Sequence, residues 1–380
     1  MARGLTAERV RQDVGVVAQA GLDLESFFAE AMESVRRAVP WVSACVGTHD
    51  PRTLMLTSDR KFGDLGEQED MHDDEFGLIE YGGSEATSFI ALARADRPAA
   101  GVHLVTGGEI ERSLRMAAYH RPHFGYHDEV RLVFREGREV WGGLGLMRGS
   151  DDPPFDDAEV DFLASLAPLF ARGVRVGMLA NLGVASSAEP QDEPQPGPAV
   201  VIVGADDRVV QITGAARQRL AELAGDGRRG PSDAVISGLV GAARRHARGE
   251  TTALPRCRVR TSRGRWLVLQ AGPLSSYGDR AGDVVITIEE ARPPEIVALV
   301  VAAFGLTPRE RDVTQLVLQG VDTKEIARTL HLSAYTVQDH LKSVFDKADV
   351  RSRRELIARI YFDQYVPRMG GELAPSGWFA

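Results

Sequence analysis

Three histidines raise the first chemical question. His120, His123 and His127, with Asp128 adjoining, lie in YHRPHFGYHDE at H-x2-H-x3-H spacing. Imidazoles so spaced can ligate zinc or iron. A metal centre usually adds further ligands and holds them on a helix or a tight loop. Pro122 and Gly125 make this stretch irregular, so a surface loop with no metal is expected. Cys45 and Cys257 lie far apart and lack ligand-like spacing; they are expected to pack as small apolar residues in a reducing compartment. The sequence has no G-x-S-x-G elbow, P-loop, dinucleotide fingerprint or zinc-protease motif. No enzymatic activity and no cofactor is expected.

The richest local signals lie between Leu306 and Tyr365. Thr307-Pro308-Arg309-Glu310 offers a capping hydroxyl, a proline at the first helical position and a glutamate three residues after the cap. Asp322-Thr323-Lys324-Glu325 repeats that logic with a carboxylate, and Ser333 is a third cap after the short turn Leu330-His331-Leu332. Apolar residues recur at helical spacing between the caps: Val313, Leu316 and Val317; Ile326, Ala327 and Leu330; Val337, Leu341, Val344 and Phe345. The pattern predicts helix, turn, helix, turn, a longer helix over 334–348, and a fourth helix from about Ser352 to Tyr361.

This segment resembles the DNA-binding domain of the LuxR/NarL class of bacterial transcription regulators. The match is carried by Leu306, Thr307, Arg309, Glu310, Val313, Leu316, Gly320, Lys324 to Ala327, Leu330, Leu332, Ser333, Thr336, Val337, His340, Lys347, Val350, Arg353 and Glu355. The resemblance implies a four-helix, all-α helix-turn-helix domain whose helix 334–348 enters the major groove. It puts the base-facing positions at Gln338, Asp339 and Lys342. Lysine is usual where this chain has Gln338; the amide can pair with adenine N6 and N7. Asp339 can accept from cytosine N4, and Lys342 can reach guanine. The positive helix N-terminus, with Ser333, Tyr335 and Thr336, suits phosphate contacts, and Lys324, Arg351, Arg353 and Arg354 are expected to add more. Leu356, Ile357, Ile360 and Tyr361 form an apolar face. The resemblance implies that this face is a self-association surface, so that two copies read an inverted repeat. Ala348 stands where the family commonly has leucine.

A chain of 380 residues accommodates two or three domains. No apolar run approaches the eighteen or so residues of a membrane span, and the N-terminus has no secretory h-region. Net charge is −9, but it is segregated: eleven Lys and Arg against nine Asp and Glu make residues 304–370 +2, leaving −11 for the rest. A small reader on a large acidic body fits that split, with weak, salt-sensitive non-specific DNA affinity.

Residues 1–183 read as one α+β domain. Helices are expected at 6–20 and 24–39, with strands at 41–47 and 53–58 around the turn His49-Asp50-Pro51-Arg52. A helix at 109–119 follows, then a hairpin of 129–134 and 139–147. A final helix opens on the capping box at Asp156 and Glu159. VWGGLGLMRGSDDPPFDDAEVDFLASLAPLFA is similar to the closing strand and helix of a GAF sensor domain, which implies a small-molecule pocket or a docking module. No cysteine sits where a bilin would attach.

Residues 184–198, with four prolines, read as a solvated linker. Residues 199–292 then show five strands with helices inserted after the second. The string VVIVGADDRVVQITGAARQRL resembles the entry hairpin of a PAS domain, although Thr213 stands where asparagine is frequent there. A connecting helix over 293–304, the helix-turn-helix domain over 305–366 and a tail over 367–380 complete the division. The fold class expected is multidomain α+β: GAF-like α/β shell, PAS-like α+β domain and helix-turn-helix domain. The function expected is a cytoplasmic, nucleoid-associated, homodimeric transcription regulator that binds double-stranded promoter or operator DNA and no membrane. It would be controlled by a small-molecule ligand, or alternatively by a protein partner alone.

Overall fold

The computed structural model describes residues 2–68, 72–180, 197–224, 232–262, 264–275 and 281–362. Residues 184–196 of the expected linker and the tail 367–380 lie outside them. The chain divides into two compact units, one of Met1–Gly177 with Ser187–Glu290 and one of Met178–Ser186 with Ala291–Ala380.

The first unit holds two five-stranded antiparallel sheets. One contains β1 (Ser43–His49), β2 (Leu56–Gly63), β3 (Ala99–Gly101), β4 (Asp128–Glu136) and β5 (Glu139–Arg148), in the order β2-β1-β5-β4-β3. The other contains β6 (Val200–Val203), β7 (Val209–Ile212), β8 (Arg256–Arg260), β9 (Trp266–Pro273) and β10 (Val284–Glu290), in the order β7-β6-β10-β9-β8. Both sheets thread second, first, fifth, fourth, third.

Against the first sheet pack α2 (Leu24–Arg36) and α8 (Asp157–Ala180), and α1 (Ala2–Val17) lies on α2, with Arg11 donating to Ser165 of α8. Asp23 caps α2 by accepting from Ser26 N at 2.8 Å. Asp156 and Glu159 form the expected capping box of α8, each side chain accepting from the other's backbone N–H at 2.8 and 3.0 Å. Phe170 of α8 stacks on Phe134 of β4 at 4.7 Å and meets Phe27 of α2 edge-on at 5.7 Å. Gly173 makes that approach possible, because a Cβ there would come within 2.1 Å of the Phe27 ring. Helix α8 is long and apolar enough to cross a membrane, which the sequence reading did not flag. Half of its most apolar window is buried within the protein, as in a core helix.

Between the strands lie α3 (Asp64–Glu67), α4 (Asp73–Gly82), α5 (Phe89–Arg94), α6 (Val102–Thr106) and α7 (Arg121–Phe124). Several expectations shift here. Strands β1 and β2 start two and three residues later than expected, and the turn between them, in which Asp50 O accepts from Leu54 N and Asp50 N donates to Met55 O, sets where β2 begins. The three-residue edge strand β3 has too little sequence to show alternation. The helix expected at 109–119 is instead a 3₁₀ turn at Ile110–Arg112, then a π-helical turn at Met116–His120 leading directly into α7. The loop expected at His120–His127 is therefore helical as far as Phe124, where Gly125 closes it at φ +69°. The wide turn lets the chain carry Pro122, whose ring in a regular helix clashes with the carbonyl four residues back.

Helices α9 (Gly214–Ala224) and α10 (Ser232–Ala247) fall between the second and third strands of the second sheet. Helix α10 lies directly on α4. A Cβ on Gly77 would meet Ser237 Oγ at 2.1 Å and Gly238 N at 2.4 Å, so the two backbones touch through glycine. Ser237 Oγ donates to Asp73 O at 3.0 Å. Met55, Leu56 and Tyr81 belong to the same buried cluster as Val201, Leu269 and Ile286, so the start of β2 and the end of α4 join the core of the second sheet. A buried ion pair adds to the seam: Arg258 of β8 donates from Nε and Nη2 to the two oxygens of Asp50, at 2.7 and 2.6 Å.

The second unit contains α11 (Pro293–Ala303), α12 (Pro308–Leu318), α13 (Thr323–Thr329), α14 (Ala334–Ala348) and α15 (Arg353–Ile357), which continues as a π-helical turn, Ala358–Phe362.

Candidate nucleic-acid interface and buried pocket

Every cap read from the C-terminal sequence forms. Thr307 Oγ1 accepts from Glu310 N at 3.3 Å, Asp322 Oδ1 from Lys324 N and Glu325 N at 2.8 and 3.0 Å, and Ser333 Oγ from Thr336 N at 3.0 Å. The turn between α13 and α14 is tightened by Leu332 N donating to Ala327 O at 2.8 Å, with His331 at φ +56°. Helix α14 buries Val337, Leu341, Val344 and Ala348. Ala348 is thus covered by the rest of the domain. The opposite face is open. Tyr335, Gln338, Asp339 and Lys342 are all exposed, Tyr335 at 77%. Their spacing of i, i+3, i+4, i+7 makes them one stripe.

The other expected contacts divide. Lys324, Arg351 and Arg354 are exposed. Ser333 and Thr336 join hydroxyl to hydroxyl at 2.9 Å at the N-terminus of α14. Arg353 is half-buried and turns inward, its Nη2 donating to the carbonyls of Val317 and Val321 at the end of α12. Leu356 and Ile360 are fully buried within the chain, where α11 packs on the π-helical turn that follows α15. Only Ile357 and Tyr361 of the expected self-association face retain exposed surface.

Glu310 does more than its cap position suggested. Its carboxylate, 5% exposed, accepts from Thr307 N at 2.7 Å, Ser343 Oγ at 2.7 Å and Lys347 Nζ at 2.6 Å. It thus ties the start of α12 to two successive turns of α14. Burial alone would raise its pKa, but the bonds from Lys347, Ser343 and the Thr307 N–H hold it down at about 2. A lowered carboxyl pKa contributes stability above its unfolded value of 4.5 that is lost as pH falls towards 2. Thermal melts of the second unit between pH 5 and 2.5 should therefore fall steeply in the parent and less steeply in Glu310→Gln. Equal slopes would show that the carboxylate is not held in this way.

A second site lies in the first unit, against one face of the first sheet. Lys61, Cys45, Gly145 and Arg131 form one cross-strand row from β2 to β4, and Asp59, Gly47, Gly143 and Val133 form the next. The glycines leave a shallow floor roofed by Phe76 of α4, Phe89 of α5, Tyr119, His120 and Ala234. Lys61 Nζ is held by both oxygens of Asp73 and by Asp59 at 3.2 Å. Arg131 donates to Glu80 at 2.7 Å and stacks 3.6 Å over the Phe89 ring. Arg115, fully buried, reaches Glu129 at 2.7 Å, Glu85 at 2.9 Å and Thr87 Oγ1 at 2.8 Å. Burial raises Asp73 to about 6, with Lys61 pulling the other way. Burial would likewise raise Glu129, but Arg115 and Arg131 hold it well below its usual value. Burial, with Asp59 adding to it, pushes the Cys45 thiol up to about 12, which keeps it protonated. Sequence reading passed over these buried charges, whose only trace is Arg and Glu inside otherwise apolar strands.

Of the three histidines, His120 is buried 3.4 Å from Glu129, while His123 is half-buried beside His72 and Glu75. His127 precedes β4, and among the described residues the three do not form a common cluster.

The family model for the luxR family of bacterial regulatory proteins matches residues 305–360. The monoamine regulon transcriptional regulator of Klebsiella aerogenes is 41% identical over 56 residues, 15% of this chain and 25% of that protein. The nitrate/nitrite response regulator protein NarL of Escherichia coli (strain K12) is 46% identical over 50 residues, 13% of this chain and 23% of that protein. Across the curated relatives it matches, the chain spans between 6% and 29% of their length. A solved phage VqmA–DPO complex aligns over 44% of this chain and 81% of that chain, at 17% identity and a TM-score of 0.24. The family match, the three formed caps and the exposed stripe of α14 coincide on one stretch of chain: residues 305–360 belong to the luxR family of bacterial regulatory proteins.

Proposed function

We infer that this protein is a transcription regulator that reads an inverted-repeat operator as a dimer. One observation carries the reading: Tyr335, Gln338, Asp339 and Lys342 share the open face of a helix whose other face is buried, just after the Ser333 cap. Gln338, Asp339 and Lys342 reach base edges, while Ser333, Tyr335, Thr336, Lys324, Arg351 and Arg354 meet phosphates. Arg353 acts as a positioning residue for the end of α12, and Ile357 and Tyr361 supply the dimer contact. The protein works in the cytoplasm, on the nucleoid.

Fluorescence anisotropy of the full chain on genomic fragments, with scrambled duplex as competitor at moderate salt, tests this; no preference for any fragment would sink it. Lys342→Ala should cost about 1–3 kcal/mol at the preferred site if it reads a base. An equal loss on random duplex, with the salt slope reduced by about 1, would assign it to a phosphate.

The first unit is the sensory part, GAF-like in its first sheet and PAS-like in its second, where helices follow the second strand. The glycine floor under Phe76, Phe89 and Tyr119 favours a small-molecule ligand there. The internal pairing of Lys61 with Asp73 and of Arg131 with Glu80 favours the second reading, control by a protein partner with no ligand. Native mass spectrometry of the protein from its own host distinguishes the two: retained small-molecule mass supports the first, a clean apo mass the second.

A further inference from the structure

We propose that His72, Glu75 and His123 bind a divalent first-row transition-metal ion where the start of α4 meets α7. One ligand atom from each residue lies within 4.8 Å of the other two. His123 Nε2 is 2.9 Å from Glu75 Oε2, and His72 Nδ1 is 3.8 Å from Glu75 Oε1. The two imidazoles stack at 3.7 Å between centroids with only 19° between their planes, which sets their ring nitrogens side by side before one carboxylate. Two imidazoles and a carboxylate are the donor set of zinc centres that keep a position open, and of non-haem iron(II). The side chains are 30, 46 and 22% exposed, so water can complete the coordination.

Two further observations point to a built site. His72 sits at φ +47°, ψ +38°, and its side chain makes no capping bond to the helix it precedes. The left-handed conformation is unfavourable for an L-residue other than glycine, and such strain persists where the surroundings dictate the geometry, as at ligand clamps. The rings are also walled by aromatics. Tyr119 and Phe124 present edges to His123 at 5.8 and 6.0 Å, and Phe124 to His72 at 6.1 Å. The spacing H-x2-H-x3-H is therefore not the ligand pattern: His123 alone of that trio takes part, and its partners lie about fifty residues earlier in the chain.

The ion would also bear on the pocket. Asp73, next to His72, holds Lys61, and Phe76 and Tyr119 are both in the roof. A bound metal would pin that roof to α7. This is independent of whether the second unit reads DNA.

The test uses the full-length, tag-free chain, stripped of metal and titrated with zinc against a chromophoric chelator. One ion per chain is expected. His72→Ala and His123→Ala should each weaken binding at least about 100-fold, since losing an outer-sphere partner alone costs about 10–100-fold. His127→Ala should bind like the parent. Metal-free melting curves confirm that the variants fold, and His72→Gln and His123→Gln replace any alanine variant that does not. Cobalt(II) should give visible bands in the parent and lose them in the double variant. Absence of saturable zinc binding, or parental affinity in the double variant, overturns the proposal.

Discussion

Asp50→Ala should lower the stability of the first unit by about 3–5 kcal/mol, the range found when one member of a buried ion pair is removed. The carboxylate accepts two side-chain bonds from Arg258, at 2.7 and 2.6 Å, and one from Arg258 N at 3.1 Å. It also accepts from Arg52 N at 2.9 Å, shaping the turn before β2. Alanine leaves the Arg258 guanidinium buried without this counter-charge and removes a turn anchor at the same position. Urea unfolding followed by the first unit's own transition is the measurement. Asp50→Ala combined with Arg258→Met should recover much of the loss, because an apolar pair of similar volume avoids the desolvation penalty. A loss under about 1 kcal/mol in the single variant would mean that water reaches the guanidinium and the seam is not dry.

Arg115→Met should cost a similar amount at pH 7, about 3–5 kcal/mol, but less at pH 5. Arg115 is fully enclosed and faces Glu80, Glu85 and Glu129, so its removal takes the guanidinium from Glu85 and leaves Glu80 and Glu129 to share Arg131, with His120 beside Glu129. Arg115 is the leading cause of the low pKa of Glu129 against the upward pull of burial. Without it the carboxyl pKa rises. A raised carboxyl pKa gives stability that is present at low pH and lost as pH increases, so the variant should recover on mild acidification. Urea midpoints at the two pH values measure this. An identical deficit at both would show that Glu129 stays ionised without its guanidinium, contrary to the electrostatics described here.

What could be read from sequence follows the range of the interactions. Caps are local, and Asp23, Asp156, Thr307, Asp322 and Ser333 all cap where their side chains and the residue three positions on suggested. The long amphipathic helix α14 was legible for the same reason, since its buried face is set by a 3.6-residue period. What was missed depends on residues far apart in the chain. Glu310 was visible as a capping glutamate, but its bonds to Ser343 and Lys347 span more than thirty residues. The three histidines were expected on a metal-free loop, and their separate partners were not legible because those lie elsewhere in the chain: His120 turns inward to Glu129, and His123 turns outward to Glu75. Leu356 and Ile360 read as an outward stripe because sequence periodicity identifies an apolar face but not what covers it.

The contact of α4 with α10 through Gly77 and Gly238 has a mechanical consequence. Backbones in van der Waals contact have no side chains between them to absorb a displacement, so a tilt of α4 is transmitted to α10 as a tilt. Whatever disturbs the roof over Lys61 disturbs both sheets at once.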